Sequence, residues 1–201
     1  MCYHQNMSLF IFDMGEVILQ NIRTLKGIAD TIGVSYRDLR TDYGQYEMAL
    51  MDGYMSCDDY YRHLEDKYSV AITEDLFLTF FHPTVNLPML STVDALRANG
   101  HRCVVGSNTF HPHWEYIKMM DEKPLEHFDS LYASHIIHMS KPEKAFWRII
   151  CTEEGYSYID TFFTDDREEN TAAASELGIT ALLYAGEDRE ARAEAFFRPF
   201  I

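Results

Sequence analysis

The chain has 201 residues, enough for one sizeable domain or for one domain with a smaller insertion, and its 47% hydrophobic content is typical of globular proteins. No stretch approaches about 18 consecutive apolar residues, so we expect no membrane span. The net charge of −15 repels nucleic acid and anionic lipid heads. A small-molecule substrate is therefore the expected partner, and an anionic one remains compatible where a local cation reverses the field.

Neither a disulfide framework nor a secretion signal is expected. The four cysteines, Cys2, Cys57, Cys103 and Cys151, are dispersed and form no CxxC pair, so we predict reduced structural thiols. The first ten residues, MCYHQNMSLF, have no basic leader and no apolar core. A cytoplasmic protein is the default expectation, as a monomer or a homodimer. We expect no metal site at Cys2 and His4.

The first predicted element is a short apolar run, Leu9 to Phe12, which ends at a carboxylate, Asp13, and a turn residue, Gly15. Such a run predicts a buried strand of a parallel sheet. Open α/β sheets bind ligands at the carboxyl ends of their strands. Asp13 is therefore either a functional residue or a solvated Asp at the end of an ordinary first strand.

Residues 21–87 show helix signals and almost no strand signal. Ser35 with Asp38, and Ser56 with Asp59, have the serine-then-acid spacing of a capping box. These residues predict a helical insertion between the first strand and the next.

Strands and helices alternate after Pro88, with short connections. Strands are predicted at 101–107, 130–134, 161–164 and 180–184, and helices at 89–98, 113–120, 142–154, 168–177 and 189–197. This alternation predicts an α/β fold with a doubly wound, Rossmann-like parallel sheet, whose core is formed by residues 1–20 and 88–201.

Polar side chains stand at the ends of the predicted strands: Asp13 after the first, Ser107 after the second, and Asp165 and Asp166 after a later one. In a parallel sheet these ends share one edge. Together with Lys141 they are the groups that metal-assisted phosphoryl transfer requires. Mg²⁺ held by Asp13 and Asp166 would neutralise substrate charge, Ser107 would donate to a phosphoryl oxygen, and Lys141 would balance developing negative charge.

Other interpretations of these residues stay open. Pro142 suits the first position of a helix, which would place Lys141 at the cap, where the helix dipole disfavours a cation unless an anion binds there. An exposed lysine in water is the alternative. The acidic pair 165–166 would also serve to cap the following helix. His111 and His113 are weaker candidates for substrate contact, because scattered histidines are more often surface or core residues.

The four segments FIFDMGEVI, VVGSNT, SKPEKAF and FFTDDREENTAAASELGI resemble, in their order, the motifs of the haloacid dehalogenase-like (HAD) hydrolase superfamily. The variant FDMGxV with SNT and DDxxxN resembles the branch that includes alpha-D-glucose-1-phosphate phosphatase. The resemblance implies a Mg²⁺-dependent phosphatase acting on a small phosphorylated metabolite, a sugar phosphate such as a sugar 1-phosphate. It also implies that residues 21–87 are a small helical cap, which closes over the site.

The resemblance further implies a role for each motif residue. Asp13 is the nucleophile that becomes an aspartyl-phosphate, and Lys141 orders the phosphoryl group beside it. The implied metal ligands are Asp13, the backbone carbonyl of Gly15 and Asp166. The implied phosphate-binding residues are Ser107, Asn108 and Lys141. Asp165 and Asn170 are implied to support the metal ligands without binding the metal themselves.

One position departs from the family pattern. Phosphatases of this superfamily usually carry a second Asp two residues after the nucleophile, as general acid and base, and here that position is Gly15. General acid–base catalysis typically increases the reaction rate by about 10²–10⁴-fold. Glu16 is adjacent but would point away from Asp13 if the strand continued. We therefore expect a leaving group that needs little protonation, such as a sugar anomeric oxygen or an acyl group.

The same residues are compatible with other functions. A hydrolytic haloacid dehalogenase would use Asp13 to attack carbon without Mg²⁺, although the acidic pair 165–166 favours a metal and hence phosphate. A weakly active or non-catalytic relative that binds phosphorylated metabolites is also compatible with Gly15. A receiver-type signalling domain combines similar groups, but its acidic pair comes first in the chain and its Lys-Pro last, unlike the order found here.

Overall fold

The computed structural model describes residues 7–201, so Cys2 and His4 lie outside the described residues. The strands are β1 (Leu9–Phe12), β2 (Leu19–Gln20), β3 (Thr84–Val85), β4 (Arg102–Ser107), β5 (Ser130–Ala133), β6 (Thr161–Asp165) and β7 (Thr180–Leu183). The α-helices are α1 (Leu25–Ile32), α2 (Tyr36–Met51), α3 (Cys57–Tyr68), α4 (Leu76–Thr79), α5 (Leu87–Ala98), α6 (His111–Lys118), α7 (Ser134–Ile137), α8 (Lys144–Glu154), α9 (Glu168–Ser175) and α10 (Arg189–Phe197).

Five parallel strands form the main sheet, in the order β5-β4-β1-β6-β7. The register aligns Phe10 of β1 with Cys103 of β4 on one side and with Phe162 of β6 on the other. All four residues of β1 are buried, as expected for a central strand covered on both faces. The predicted doubly wound α/β fold is confirmed.

Alternate residues of β1 face two separate apolar layers, because successive side chains of a strand point to opposite sides. Phe10 and Phe12 pack into a cluster that includes residues of α5, α6 and α10. Leu9 and Ile11 pack into a second cluster, with aromatic residues of α8 and β6. The helices thus cover both faces of the sheet and leave its carboxyl edge for the polar residues.

The helical insertion, residues 21–87, has an apolar cluster of its own, built mainly from α1 to α4. Phe110, from the connection after β4, joins this cluster. Ser35 accepts the N–H of Asp38 at 3.1 Å, and Ser56 with Asp59 forms a full capping box, so both predicted helix starts are confirmed.

Two short strands went unpredicted. β2 pairs antiparallel with β3, aligning Leu19 with Val85 and Gln20 with Thr84. Strands of two residues carry too little sequence for a period-2 pattern, which is why the sequence missed them. Their pairing brings the chain's entry into the helical insertion next to its exit.

Cys57, Cys103 and Cys151 are buried and unbridged. That they are reduced structural thiols stays a prediction. Within the described part of the chain, no helix combines the length and apolarity needed to cross a membrane.

Candidate active site

The polar residues predicted to converge lie together at the carboxyl edge of the sheet. Asp13 follows β1, Ser107 ends β4, and Asp165 ends β6 with Asp166 directly after it. The carboxylates of Asp13, Asp165 and Asp166 each offer an oxygen within 4.8 Å of the others. Residues far apart in sequence thus form one acidic cluster.

Lys141 is the cation of this cluster. Its Nζ donates to Asp13 Oδ1 at 2.7 Å, to Asp165 Oδ2 at 2.7 Å and to the carbonyl of Gly106 at 2.8 Å, and the residue is only 2% exposed. Burial alone would lower the pKa of Lys141, but the attraction of the Asp13 and Asp165 carboxylates raises it above its ordinary value. Lys141 is therefore a charged ammonium group with all three donors in use.

The expected position of Lys141 at a helix cap is wrong. Helix α8 begins at Lys144, and its N-cap is Glu143. Lys141 and Pro142 lie in a turn that precedes the helix. The buried carboxylates, not the helix dipole, explain the position of Lys141.

Asp165 is fully engaged by protein donors. Its Oδ2 accepts from Lys141, and its Oδ1 accepts from the N–H of Arg167 and from Asn170 Nδ2, both at 2.9 Å. The side chain is completely buried. This carboxylate therefore orients Lys141 and the start of α9. Unlike Asp13 and Asp166, it is a supporting residue of the cluster.

Asn108 holds the backbone of Lys141. Its Oδ1 accepts the N–H of Lys141 at 2.8 Å, and its Nδ2 donates to the Lys141 carbonyl at 2.8 Å. The sequence suggested a phosphate contact for Asn108. The structure shows that both ends of the amide fix the residue that carries the ammonium group, and the phosphate contact stays a prediction.

The donor set suits a divalent cation that prefers oxygen ligands. Burial raises the pKa of Asp13, and repulsion from the neighbouring carboxylates adds to the rise while Lys141 opposes it. Burial and repulsion from Asp165 also raise the pKa of Asp166 to about 6. Three carboxylates face one ammonium group, so a divalent cation held by Asp13 and Asp166 would compensate the excess negative charge.

Gly15 lies against an apolar side chain. A Cβ at Gly15 would come within 2.6 Å of Ile22 Cδ1 and 3.6 Å of Asp13 Oδ2. Glu16 has a left-handed backbone, with φ of 57°, and its carboxylate accepts from Arg23 Nε at 3.3 Å. Strand β1 ends at Phe12 and does not continue to Glu16. Glu16 pairs with Arg23 instead.

A cavity of about 820 Å³ opens above this edge. Gly15, Ser107 and Asp166 contribute to its lining, together with residues of the helical insertion and of α6. The cavity is thus enclosed partly by the sheet edge and partly by the insertion.

His113 lines the cavity but serves as a structural residue. Its Nε2 lies 3.1 Å from the carbonyl of Phe77, and its ring stacks on Phe81 with centroids 3.8 Å apart. Burial lowers the pKa of His113 to about 4, so the ring is neutral near neutral pH. His111 is exposed beside Glu115 and does not line the cavity.

The contacts between the insertion and the core were not predicted from the sequence. Ser140 donates to the carboxylate of Asp52, at the end of α2. Ser134 Oγ accepts the N–H of Thr109 at 3.0 Å and lies 2.5 Å from the carbonyl of Met51. These contacts join α2 to the segments that carry Lys141 and follow Ser107. No sequence motif marks them.

Two further close approaches connect the insertion to the core. Gly53 has a φ of 73°, and a Cβ there would lie 2.8 Å from the carbonyl of His135. Glu47 of α2 pairs with Arg167, next to Asp166, at 3.5 Å.

No family model matches the sequence. Two fungal proteins are similar to it. The sesquiterpene phosphatase astK of Aspergillus oryzae is 29% identical over 181 residues, which are 86% of this chain and 87% of that protein. The drimenol cyclase drtB of Aspergillus calidoustus is 29% identical over 159 residues, which are 75% of this chain and 29% of that longer protein.

Solved structures of HAD enzymes are similar in fold. The HAD family enzyme bt-2542 of Bacteroides thetaiotaomicron superimposes with a TM-score of 0.76 and 21% identity, over 96% of this chain and all of that chain. The same enzyme in complex with magnesium and inorganic phosphate gives a TM-score of 0.68 at 20% identity, covering 88% of this chain and 93% of that one. A dehalogenase superimposes with a TM-score of 0.65 at 15% identity, over 88% of this chain and 84% of that one. The chain therefore has the α/β fold of HAD enzymes.

Proposed function

We propose that the protein is a Mg²⁺-dependent phosphatase of the HAD type that acts on a small phosphorylated metabolite. The observation that carries this proposal is the arrangement of Asp13, Asp166 and Lys141 at one edge of the sheet, beside a cavity that Gly15, Ser107 and Asp166 line. The magnesium and phosphate bound to the Bacteroides enzyme of the same fold, and the phosphatase named among the fungal relatives, support it.

Asp13 is the nucleophile of this proposal. Lys141 holds Asp13 Oδ1, which leaves the other carboxylate oxygen to attack the phosphorus and form an aspartyl-phosphate. Ser107, buried at the end of β4, donates to a phosphoryl oxygen. Lys141 balances the charge that develops during transfer. Water then releases inorganic phosphate and restores the carboxylate.

Bound Mg²⁺, with Asp13, Asp166 and the Gly15 carbonyl as its ligands, would neutralise the phosphoryl charge and orient the group for attack. Asp165 and Asn170 position this site without binding the metal, because Asp165 accepts hydrogen bonds from both Lys141 and Asn170. We assign Asn108 to positioning Lys141, with any phosphate contact made through its remaining amide hydrogen.

We infer that residues 21–87 form a cap over a core of residues 1–20 and 88–201. The separate apolar cluster of the insertion and its share of the cavity lining support this division. A cytoplasmic location and a monomeric or homodimeric state stay predictions.

Two substrate classes enter the proposal. The motifs led us to expect a sugar phosphate such as a sugar 1-phosphate, whereas the relative from Aspergillus oryzae is named for a sesquiterpene substrate. Either class is a small phosphorylated metabolite. A hydrolytic dehalogenase is the less favoured function, because attack on carbon gives no role to the acidic cluster as a metal site.

The decisive experiment measures inorganic phosphate released from acetyl phosphate, a small substrate whose leaving group needs no proton. Wild type with Mg²⁺ should turn over, and both EDTA and Asp13→Asn should abolish release. A thermal melt of Asp13→Asn confirms that the variant is folded. Equal background rates for wild type and variant would favour a non-catalytic binding protein, and EDTA-resistant turnover would contradict the metal.

A further inference from the structure

The side of Gly15 that faces the site holds a hydrocarbon group. Ile22 Cδ1 lies 2.6 Å from the position of a Cβ on Gly15, and Glu16 is turned away toward Arg23. No acidic residue therefore stands at this position to protonate a leaving oxygen next to Asp13, and the Ile22 methyl group occupies the adjacent space. A substrate suited to this site leaves as a stable anion.

The wall around Ile22 is apolar. Leu19, Leu25, Phe77 and Phe81 line the same cavity, and Leu19, Phe77 and Phe81 are at most 3% exposed. Cavities of about 300–1,000 Å³ with mostly apolar walls are typical of small-molecule sites, and this one, at about 820 Å³, is large for a phosphate alone. The wall is suited to a hydrocarbon group.

Three of the polar groups on the cavity wall are already engaged within the protein. His113 contacts the Phe77 carbonyl, Asn108 holds Lys141, and the N–H of Thr109 donates to Ser134. A sugar has hydroxyl groups on every side and needs a hydrogen-bonding partner for each one that is buried. These engaged groups make the cavity a poorer match for a sugar than for a hydrocarbon.

Charged residues of both signs line the cavity beside the apolar wall. The basic ones are Arg23, Lys26, Arg40 and Arg167, and the acidic ones are Glu47, Asp166 and Glu169. Arg167 directly follows Asp166 and is held by Glu47 at 3.5 Å and by another acid at 2.7 Å. Arginine is well suited to bind a phosphate that is not itself transferred.

We propose that the substrate is the diphosphate ester of an apolar alcohol, bound with its hydrocarbon group against Ile22, Leu25 and Phe81, and that Asp13 removes its terminal phosphate. This inference rests on the proposed phosphatase function and names its substrate class. It also accounts for Gly15, because the leaving group is a monophosphate ester rather than an alkoxide.

The reaction balances without a general acid. An oxygen of Asp13 bonds to the terminal phosphorus, the bond from that phosphorus to the bridging oxygen breaks, and its electron pair stays on the departing monophosphate. Phosphate monoesters have a second pKa of about 6, so this group leaves unprotonated at neutral pH. Water then attacks the phosphorus of the aspartyl-phosphate, the bond from that phosphorus to the Asp13 oxygen breaks with its electron pair returning to the carboxylate, and both protons of the water leave on inorganic phosphate as dihydrogen phosphate.

Four substrates test the proposal: farnesyl diphosphate, farnesyl monophosphate, ADP and acetyl phosphate. We expect kcat/KM for farnesyl diphosphate to exceed that for ADP at least about tenfold, because ADP has a polar body. The kcat/KM for farnesyl diphosphate should also exceed the kcat/KM for farnesyl monophosphate by about 10²–10⁴-fold, because the alkoxide that leaves from the monophosphate needs a proton. Mass spectrometry should find farnesyl monophosphate and inorganic phosphate as the first products, without pyrophosphate.

Leu25→Gln tests the apolar wall. Leu25 is partly exposed, so its replacement should be tolerated, and we expect kcat/KM for farnesyl diphosphate to fall by about tenfold relative to acetyl phosphate. Tyr36→Ala, at a half-exposed residue of the same cavity, should shift this ratio in the same direction. Leu87→Gln, at an exposed leucine that does not line the cavity, is the matched control and should leave the ratio unchanged.

The outcomes separate the two proposals. Asp13-dependent turnover of acetyl phosphate, with ADP or a sugar 1-phosphate preferred over farnesyl diphosphate, would overturn the substrate class and leave the phosphatase intact. Release of pyrophosphate would overturn the site of cleavage. No Asp13-dependent turnover of any of these substrates would overturn the phosphatase and, with it, this inference.

Discussion

Asp13 and Asp165 share the ammonium group of Lys141, whose Nζ lies 2.7 Å from an oxygen of each carboxylate. One acid stands at the end of β1 and the other at the end of the neighbouring strand β6. The lysine therefore orients the proposed nucleophile and, at the same time, neutralises the strand ends that the sheet brings together.

Replacing this lysine should affect stability as well as activity. We expect Lys141→Met to lose about 3–5 kcal/mol of unfolding free energy, the usual cost of leaving a buried charge without its partner. Urea denaturation in EDTA measures the loss, and phosphate release should fall to the Asp13→Asn background. Lys144→Met is the control, because the Lys144–Glu176 pair is largely exposed and surface pairs contribute about 0–1 kcal/mol. Equal losses in the two variants would refute the buried cluster as a stabilising element.

Asn108→Ala should act on Lys141 through its backbone. The variant loses two hydrogen bonds, each worth about 1 kcal/mol, so we expect a stability loss of roughly 2 kcal/mol. Displacement of the ammonium group should lower kcat for acetyl phosphate more than it raises KM. Steady-state kinetics separate the two parameters. A rise in KM alone would instead indicate that Asn108 contributes mainly to substrate binding.

The buried imidazole of His113 should make stability depend on pH. Its pKa is lowered from 6.5 to about 4, so between these values the unfolded chain binds a proton that the folded protein does not. His113 therefore costs nothing above pH 6.5 and destabilises the fold as the pH falls toward 4. His113→Gln, which keeps a donor for the Phe77 carbonyl, should flatten the stability curve there by up to about 1.4 kcal/mol per pH unit.

Urea denaturation at several pH values measures this slope. The carboxylates titrate equally in both proteins, so only the difference between wild type and variant is diagnostic. His111→Gln, at the exposed neighbouring histidine, should follow the wild-type curve. Parallel curves for wild type and His113→Gln would show that His113 does not stay neutral in the folded protein.

Restoring an acid at position 15 requires space. In Gly15→Asp alone the new Cβ lies 2.6 Å from Ile22 Cδ1, so the end of the Ile22 side chain must shift, and we expect a smaller gain against a simple alkyl phosphate than in a variant with more space. The double variant with Ile22→Ala should gain about 10–100-fold, toward the range that general acid catalysis provides. Ile22→Ala alone is the control for cavity enlargement. Equal rates for the double variant and this control would exclude Gly15 as the limiting position.

The convergence of Asp13, Ser107 and Asp165 was predictable because parallel strands place their carboxyl ends on one edge. Lys141 was predicted as part of the same group, but the expected reason was wrong, since α8 begins after Lys141. Its position depends on three acceptors from separate segments and on the Asn108 amide, none of which a local sequence pattern reveals.

Ile22 and Ser134 show a second limit of the sequence. Ile22 reads as an ordinary apolar residue after β2, and its approach to Gly15 follows from the turn between β1 and β2. Ser134 contacts Met51 from a different part of the chain. Such contacts depend on how separate elements pack, and periodicity within one element carries no information about that packing.

The pairing of β2 with β3 also bears on how the protein can be re-engineered. Gln20 and Thr84 stand opposite each other on this ladder, so the whole stretch of chain between them starts and finishes at one point. A replacement segment of a different length would have to match these two ends and also to restore the contacts that Met51 and Asp52 make with Ser134 and Ser140. The insertion is therefore exchangeable as a unit only together with the core residues that hold it.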